Sequence, residues 1–149
     1  MTVDSVGVFL NAIQSGLVVS GNSFITVARV VNSGDALSSF RVSGPTDFIG
    51  IRLSPGRGAA LTGRYFTEMQ DNVVIDVYHH DVTATVSGVA YPGTVAVVQQ
   101  RINDLKLTVS GATWAGTGVP PPKLVSESHP LAQAQFARGE LTYRVRYLL

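Results

Sequence analysis

The residues best suited to chemistry are His79, His80 and Asp81, which follow the apolar run Val73 to Tyr78. Such a group could serve a metal site or a small enzyme. On a strand, however, adjacent side chains point to opposite faces, so the two histidines cannot easily chelate one ion. Asp76, His80 and Asp81 could be neighbours, yet two or three ligands with no second cluster fall short of a zinc site. We read the group as a solvated strand end. His129 precedes Pro130 and has no obvious carboxylate partner. There is no G-x-S-x-G elbow. Gly56-Arg57-Gly58 lacks the further glycines and the lysine of a phosphate-binding loop. The chain has no cysteine, which excludes disulfides and thiolate metal sites. No catalytic, metal-binding or cofactor-binding residue is expected, and no cofactor.

The arginines suggest contact rather than catalysis. Arg41, Arg52, Arg57 and Arg64 share their segment with one acid, Asp47. Arg144 and Arg146 alternate with apolar residues near the C-terminus. Arg52, Arg57, Arg64, Arg144 and Arg146 are therefore the candidate partner-contact residues, through charge-assisted hydrogen bonds. The glycine-bearing segment Ser54 to Arg64 is expected to be a loop, mobile in the free chain and ordered by a partner. Charged residues make up only 14% of the chain, against about 25% in typical soluble domains. A surface this poor in charge is better suited to burial against neighbours than to isolation in water. The alternative is a neutral β protein that is merely soluble. With a net charge of +1 there is no global basic field to mark nucleic acid as the main partner.

The elements that must position these residues follow from periodicity. Val3, Val6, Leu10, Ile13 and Leu17 form one stripe of an amphipathic helix. Phe24 to Val31 reads as a strand, Asn32-Ser33-Gly34-Asp35 as a turn, and Phe40 to Val42 as a short extended piece. Phe48 to Leu53 and Val73 to Tyr78 read as strands. Pro92 opens a second helix through Val95, Val98, Ile102 and Leu105. Leu107 to Trp114 is expected as a strand, Gly116 to Pro122 as a loop, and Leu124 to Glu127 as a short strand. Leu141, Tyr143, Val145, Tyr147 and Leu149 share one face of a last strand. The charge-free stretches from Ser5 to Ala28 and from Val82 to Gln100 are broken by polar residues, glycine and proline, so neither is a membrane span. No membrane partner and no signal peptide are expected. The sum is a single α+β domain over residues 1–149: an antiparallel or mixed sheet with two helices packed on one face.

The order of these elements resembles that of the tail-terminator and tail-completion proteins of long-tailed phages. The matching pieces are Val3 to Leu17, Arg64-Tyr65-Phe66 leading into Val73 to Tyr78, the helix from Thr94 to Leu105, and Thr142-Tyr143-Arg144-Val145-Arg146-Tyr147. The segments 54–63 and 117–122 have no match in that pattern. The resemblance implies a non-enzymatic virion protein forming a homo-oligomeric ring, often six-fold. Such a ring caps the tail tube and joins it to the connector or neck proteins, with DNA passing through its lumen. Two other readings stand beside it. One is a different virion subunit of the tail tube or capsid surface. The other is a small ligand-binding or hot-dog-type enzyme using His79, His80 or Asp81.

Overall fold

The computed structural model describes residues 4–21, 25–43, 47–54, 58–62, 67–79, 85–86, 89–90, 92–132 and 136–148. Three helices are described: α1 (Ser5–Val19), α2 (Ser33–Ser43) and α3 (Pro92–Gly111). The main sheet is built from β1 (Thr26–Arg29), β2 (Asp47–Leu53), β3 (Gly58–Thr62), β4 (Thr67–His79), β7 (Lys123–Ala132) and β8 (Ala137–Leu148). Its order is β1-β2-β4-β8-β7. Strand β3 pairs with β4 beyond the stretch that β2 occupies. Only the β1–β2 pair is parallel, so the sheet is mixed. Two short strands, β5 (Thr85–Val86) and β6 (Val89–Ala90), pair with each other apart from it.

Helices α1 and α3 cover one face of this sheet, as expected for an α+β fold. Val6, Phe9, Ile13 and Leu17 of α1 and Val98, Ile102, Leu105 and Val109 of α3 pack on Ile49, Ile51, Val73, Ile75 and Val77. The same wall continues through Leu141, Tyr143 and Val145, which alternate along β8 as the sequence predicts. Phe9, rather than the expected Leu10, is the buried residue at that turn of the α1 stripe, and with Ile13 it is fully buried. Its ring lies 5.1 Å from that of Trp114 and 5.7 Å from that of Tyr143. Asp4 caps α1, with Oδ1 accepting the Gly7 N–H at 3.2 Å.

Three expectations are corrected. Asn32 to Phe40 is not a turn and an extended piece but the start and body of α2. Asn32 Oδ1 accepts the Asp35 N–H at 2.8 Å, and Asp35 Oδ2 accepts the Val31 N–H at 2.9 Å. Residues that favour turns also cap helices, and here the reciprocal cap decides. Ala36 and Phe40, one turn apart, then bury against Phe48, Tyr78 and Phe136 on the opposite face of the sheet. Second, Leu107 to Gly111 extends α3 rather than forming a strand. Val109 continues the apolar spacing of 98, 102 and 105, and tertiary packing overrides the local β preference. The Trp114 indole N–H donates to the Val109 carbonyl at 3.1 Å, satisfying one open carbonyl at the helix end. Third, residues 58–62 of the expected loop are strand β3, with a register break between Gly58 and Leu61. Strand β7 is also longer than expected. It carries Pro130 on the sheet edge, where a missing N–H costs no ladder bond.

Close approach fixes how the helices lie. A Cβ on Gly139 would come within 2.4 Å of Ile102 Cδ1 and 3.0 Å of Val98 Cγ1, so α3 rests directly on β8. A Cβ on Gly16 would come within 2.2 Å of Thr108 Cγ2, so α1 and α3 touch there as well.

Burial of Tyr143 has a pH signature. Loss of hydration, with the Glu127 charge adding to it, pushes its phenol up to about 12. The unfolded phenol ionises near 10. Below that pH both states are protonated and the contribution to stability is intact. Between about 10 and 12 the unfolded state loses its proton first, so stability falls as pH rises. Urea unfolding at stepped alkaline pH is expected to show this decline. Tyr143→Phe should flatten it, and an unchanged slope in that variant would exclude Tyr143 as the source.

Candidate functional site

Facing residues of paired strands share a side of the sheet, so the registers identify what the second face carries. Arg52 lies opposite Val74, and Val74 opposite Thr142. Asp76 faces Glu140, Asn72 faces Arg144, Gln70 faces Arg146, and Lys123 faces Arg144 from the other side. Three of the five candidate contact residues, Arg52, Arg144 and Arg146, therefore lie on one face. Arg57 and Arg64 lie outside the described residues, as do His80 and Asp81.

Asp76 anchors one end of this face. It is fully buried, at 0% exposure. Its Oδ2 accepts from Arg52 Nε at 2.9 Å, and its Oδ1 from Arg138 Nη2 at 3.3 Å. Glu140 Oε2 joins the same two arginines, at 3.2 Å from Arg138 Nη2 and 3.5 Å from Arg52 Nη2. The Arg138 guanidinium lies 5.9 Å from the centre of the Tyr78 ring. Burial pushes the Tyr78 phenol up, and the adjacent Arg138 charge partly opposes it. Arg52 is thus committed to an internal network rather than held out for a partner. Asp76 was weighed in the sequence only as a metal ligand with His80 and Asp81, and Arg138 and Glu140 were not singled out. The signal for the latter two was the polar alternation of β8, which extends back to Arg138.

The other end of the face is different. A pocket of about 270 Å³ is lined by Pro120, Pro121, Lys123, Arg144 and Arg146. Among the described residues that line it there is no carboxylate. Arg144 Nε is buried there without a hydrogen-bond partner.

His79 is not a solvated strand end. Its Nδ1 lies 2.8 Å from Asp47 Oδ1, and both side chains are mostly buried. Arg101 Nε approaches the same carboxylate oxygen at 3.5 Å, tying α3 to the end of β2 and β4. The set is closed by its own charges and resembles a structural tie more than an acid–base centre. Among the described residues no group of three or more His, Cys, Asp or Glu could hold a metal ion.

A third feature lies on the helical layer. A groove of about 760 Å³ runs between α1 and the C-terminal half of α3, lined by Val8, Ala12, Val19, Leu107, Ala112 and Trp114 among others. None of its lining residues is charged. Val19 and Leu107 on its rim are 89% and 71% exposed. No described helix is long and apolar enough to cross a membrane.

No family model matches the chain, and no curated protein matches its sequence. Among solved structures, the fold is similar to that of a chain in the virion of a native gene transfer agent particle. The TM-score is 0.57 at 15% sequence identity, and the match covers 97% of this chain and 92% of that one. At that identity the likeness is one of fold.

Proposed function

We infer that this chain is a non-enzymatic structural subunit of a phage-like virion, and that it acts there as a ring-forming tail terminator. In that role it caps the tail tube and joins it to the head–tail connector. The observation that carries the reading is the fold shared with a virion chain over nearly the whole of both molecules. The element order noted in the sequence supports the terminator assignment. The low charge and the uncharged groove between α1 and α3 support self-association. A head-to-tail contact between copies closes into a ring when its rotation permits. Arg57 and Arg64 remain candidates for contact with a neighbouring virion protein.

Light scattering and negative-stain imaging of the purified chain, alone and with tail tubes and connector, test this. One discrete multimeric mass and ring-shaped particles are expected, bound at one end of each tube. Particles along the whole tube or over the capsid would replace the terminator role with that of a tube or decoration subunit. A chain that stays monomeric even with those partners would overturn the virion reading. The groove has its own test. A charge buried in an interface without a partner is strongly unfavourable, so Val19→Asp and Leu107→Asp should each weaken ring assembly by at least about tenfold. Both positions are exposed in the subunit, so its unfolding temperature should hardly change. Intact assembly of both variants would remove the groove from the interface.

A further inference from the structure

We propose that the pocket formed by Pro120, Pro121, Lys123, Arg144 and Arg146 is a docking site for an acidic segment of a different protein. The inference is independent of the virion reading.

Lys123 and Arg144 are directly opposed across the β7–β8 pair, and Arg146 lines the same pocket. Like charges directly opposite one another on a sheet are destabilising. Neither Lys123 nor Arg144 has an ion-pair partner among the described residues. At the other end of the face Arg52 and Arg138 share Asp76 and Glu140. Arg144 also keeps a buried Nε with no acceptor. A buried donor left unmade is costly. An incoming carboxylate would satisfy that donor and separate the opposed cations in one step.

Shape and charge favour protein over nucleic acid as the occupant. The site is a pocket of about 270 Å³ with two prolines for a wall, which suits inserted side chains better than the outside of a duplex. The chain as a whole carries only +1, so it lacks the broad positive field that tracks a phosphate backbone. A second copy of this chain is a poor source of the acid. Eight of its ten carboxylates are already engaged: Asp4 with Arg29, Asp35 with the Val31 N–H, Asp47 with His79, and Asp71 with Ser5. Asp76 and Glu140 hold their arginines, Asp104 accepts from Gln100, and Glu127 binds Lys106.

Fluorescence anisotropy with labelled hexaglutamate, and separately with labelled twelve-residue oligothymidylate, tests the proposal on the full chain. Hexaglutamate should bind saturably. The double variant Lys123→Ala, Arg146→Ala should weaken it by at least about tenfold at an unchanged unfolding temperature. Arg144→Lys keeps the charge but loses the buried Nε donor, and should also weaken binding. Oligothymidylate should bind less tightly than the peptide. The proposal fails if hexaglutamate does not bind, or binds the double variant equally well. It also fails if oligothymidylate binds more tightly and through the same residues, which would make nucleic acid the occupant. Because the measurement needs no assembly partner, its failure is separate from any failure to form rings.

Discussion

Removing residues 141–149 is expected to leave a chain with no cooperative unfolding transition. Strand β8 lies between β4 and β7, so the deletion strips the middle of the sheet and strands β7. It removes Leu141, Tyr143 and Val145, all buried in the core. Each is worth about 1.5–3 kcal/mol, against a total stability on the order of 5–15 kcal/mol for a domain. It also exposes the apolar edge of β4 to solvent and to other chains. Circular dichroism and thermal scans of the truncated chain are the measurement. A retained sharp transition would show that the sheet closes without this internal strand.

Asp76→Ala is expected to be the most damaging single substitution on the polar face. Asp76 is fully buried and holds both Arg52 and Arg138. Truncating it leaves Arg52, itself mostly buried, with only a 3.5 Å contact to Glu140. Removing one member of a buried ion pair costs about 3 kcal/mol or more, or roughly 10 °C in unfolding temperature for a chain of this size. Asp76→Asn, which keeps an acceptor but not the charge, should cost less. Replacing Asp76, Arg52 and Arg138 together by apolar residues should recover part of the loss, because no charge is then left uncompensated. A loss below about 0.5 kcal/mol for Asp76→Ala would place it among ordinary surface changes and show the network to be incidental.

How much of this was legible depended on whether a signal was local. Helix α1, strand β2, the middle of β4 and the alternation of β8 follow from spacing alone, because one buried face imposes a period. Helix α2 was hidden because Asn32, Ser33, Gly34 and Asp35 are equally good turn and cap residues. What decides between them is the burial of Ala36 and Phe40 against strands far away in sequence. The end of α3 was hidden because Leu107, Thr108 and Val109 favour a strand locally, and only the floor of the core keeps them helical. The candidate site divides in the same way. Arg144 and Arg146 were found through alternation within one strand. That Arg52 is spent on Asp76, that Lys123 stands against Arg144, and that His79 is tied to Asp47 are facts of register. Register pairs residues tens of positions apart and leaves no local trace.

The place of β8 in the sheet also shapes how the chain is made. It is the last described strand to emerge from the ribosome, yet it must insert between two strands synthesised before it. Until it does, β4 can pair through β2 and β3 but presents Val73, Ile75 and Val77 along an unpaired edge. At about 5–20 residues per second, the stretch from β4 to β8 leaves that edge open for seconds. Nascent chains on neighbouring ribosomes can meet it in that interval. Strand β8 therefore acts as a timer, because the edge of β4 is covered only once residues 137–148 have been made. Chains interrupted before residue 137 should be drawn to holdase chaperones or to aggregates.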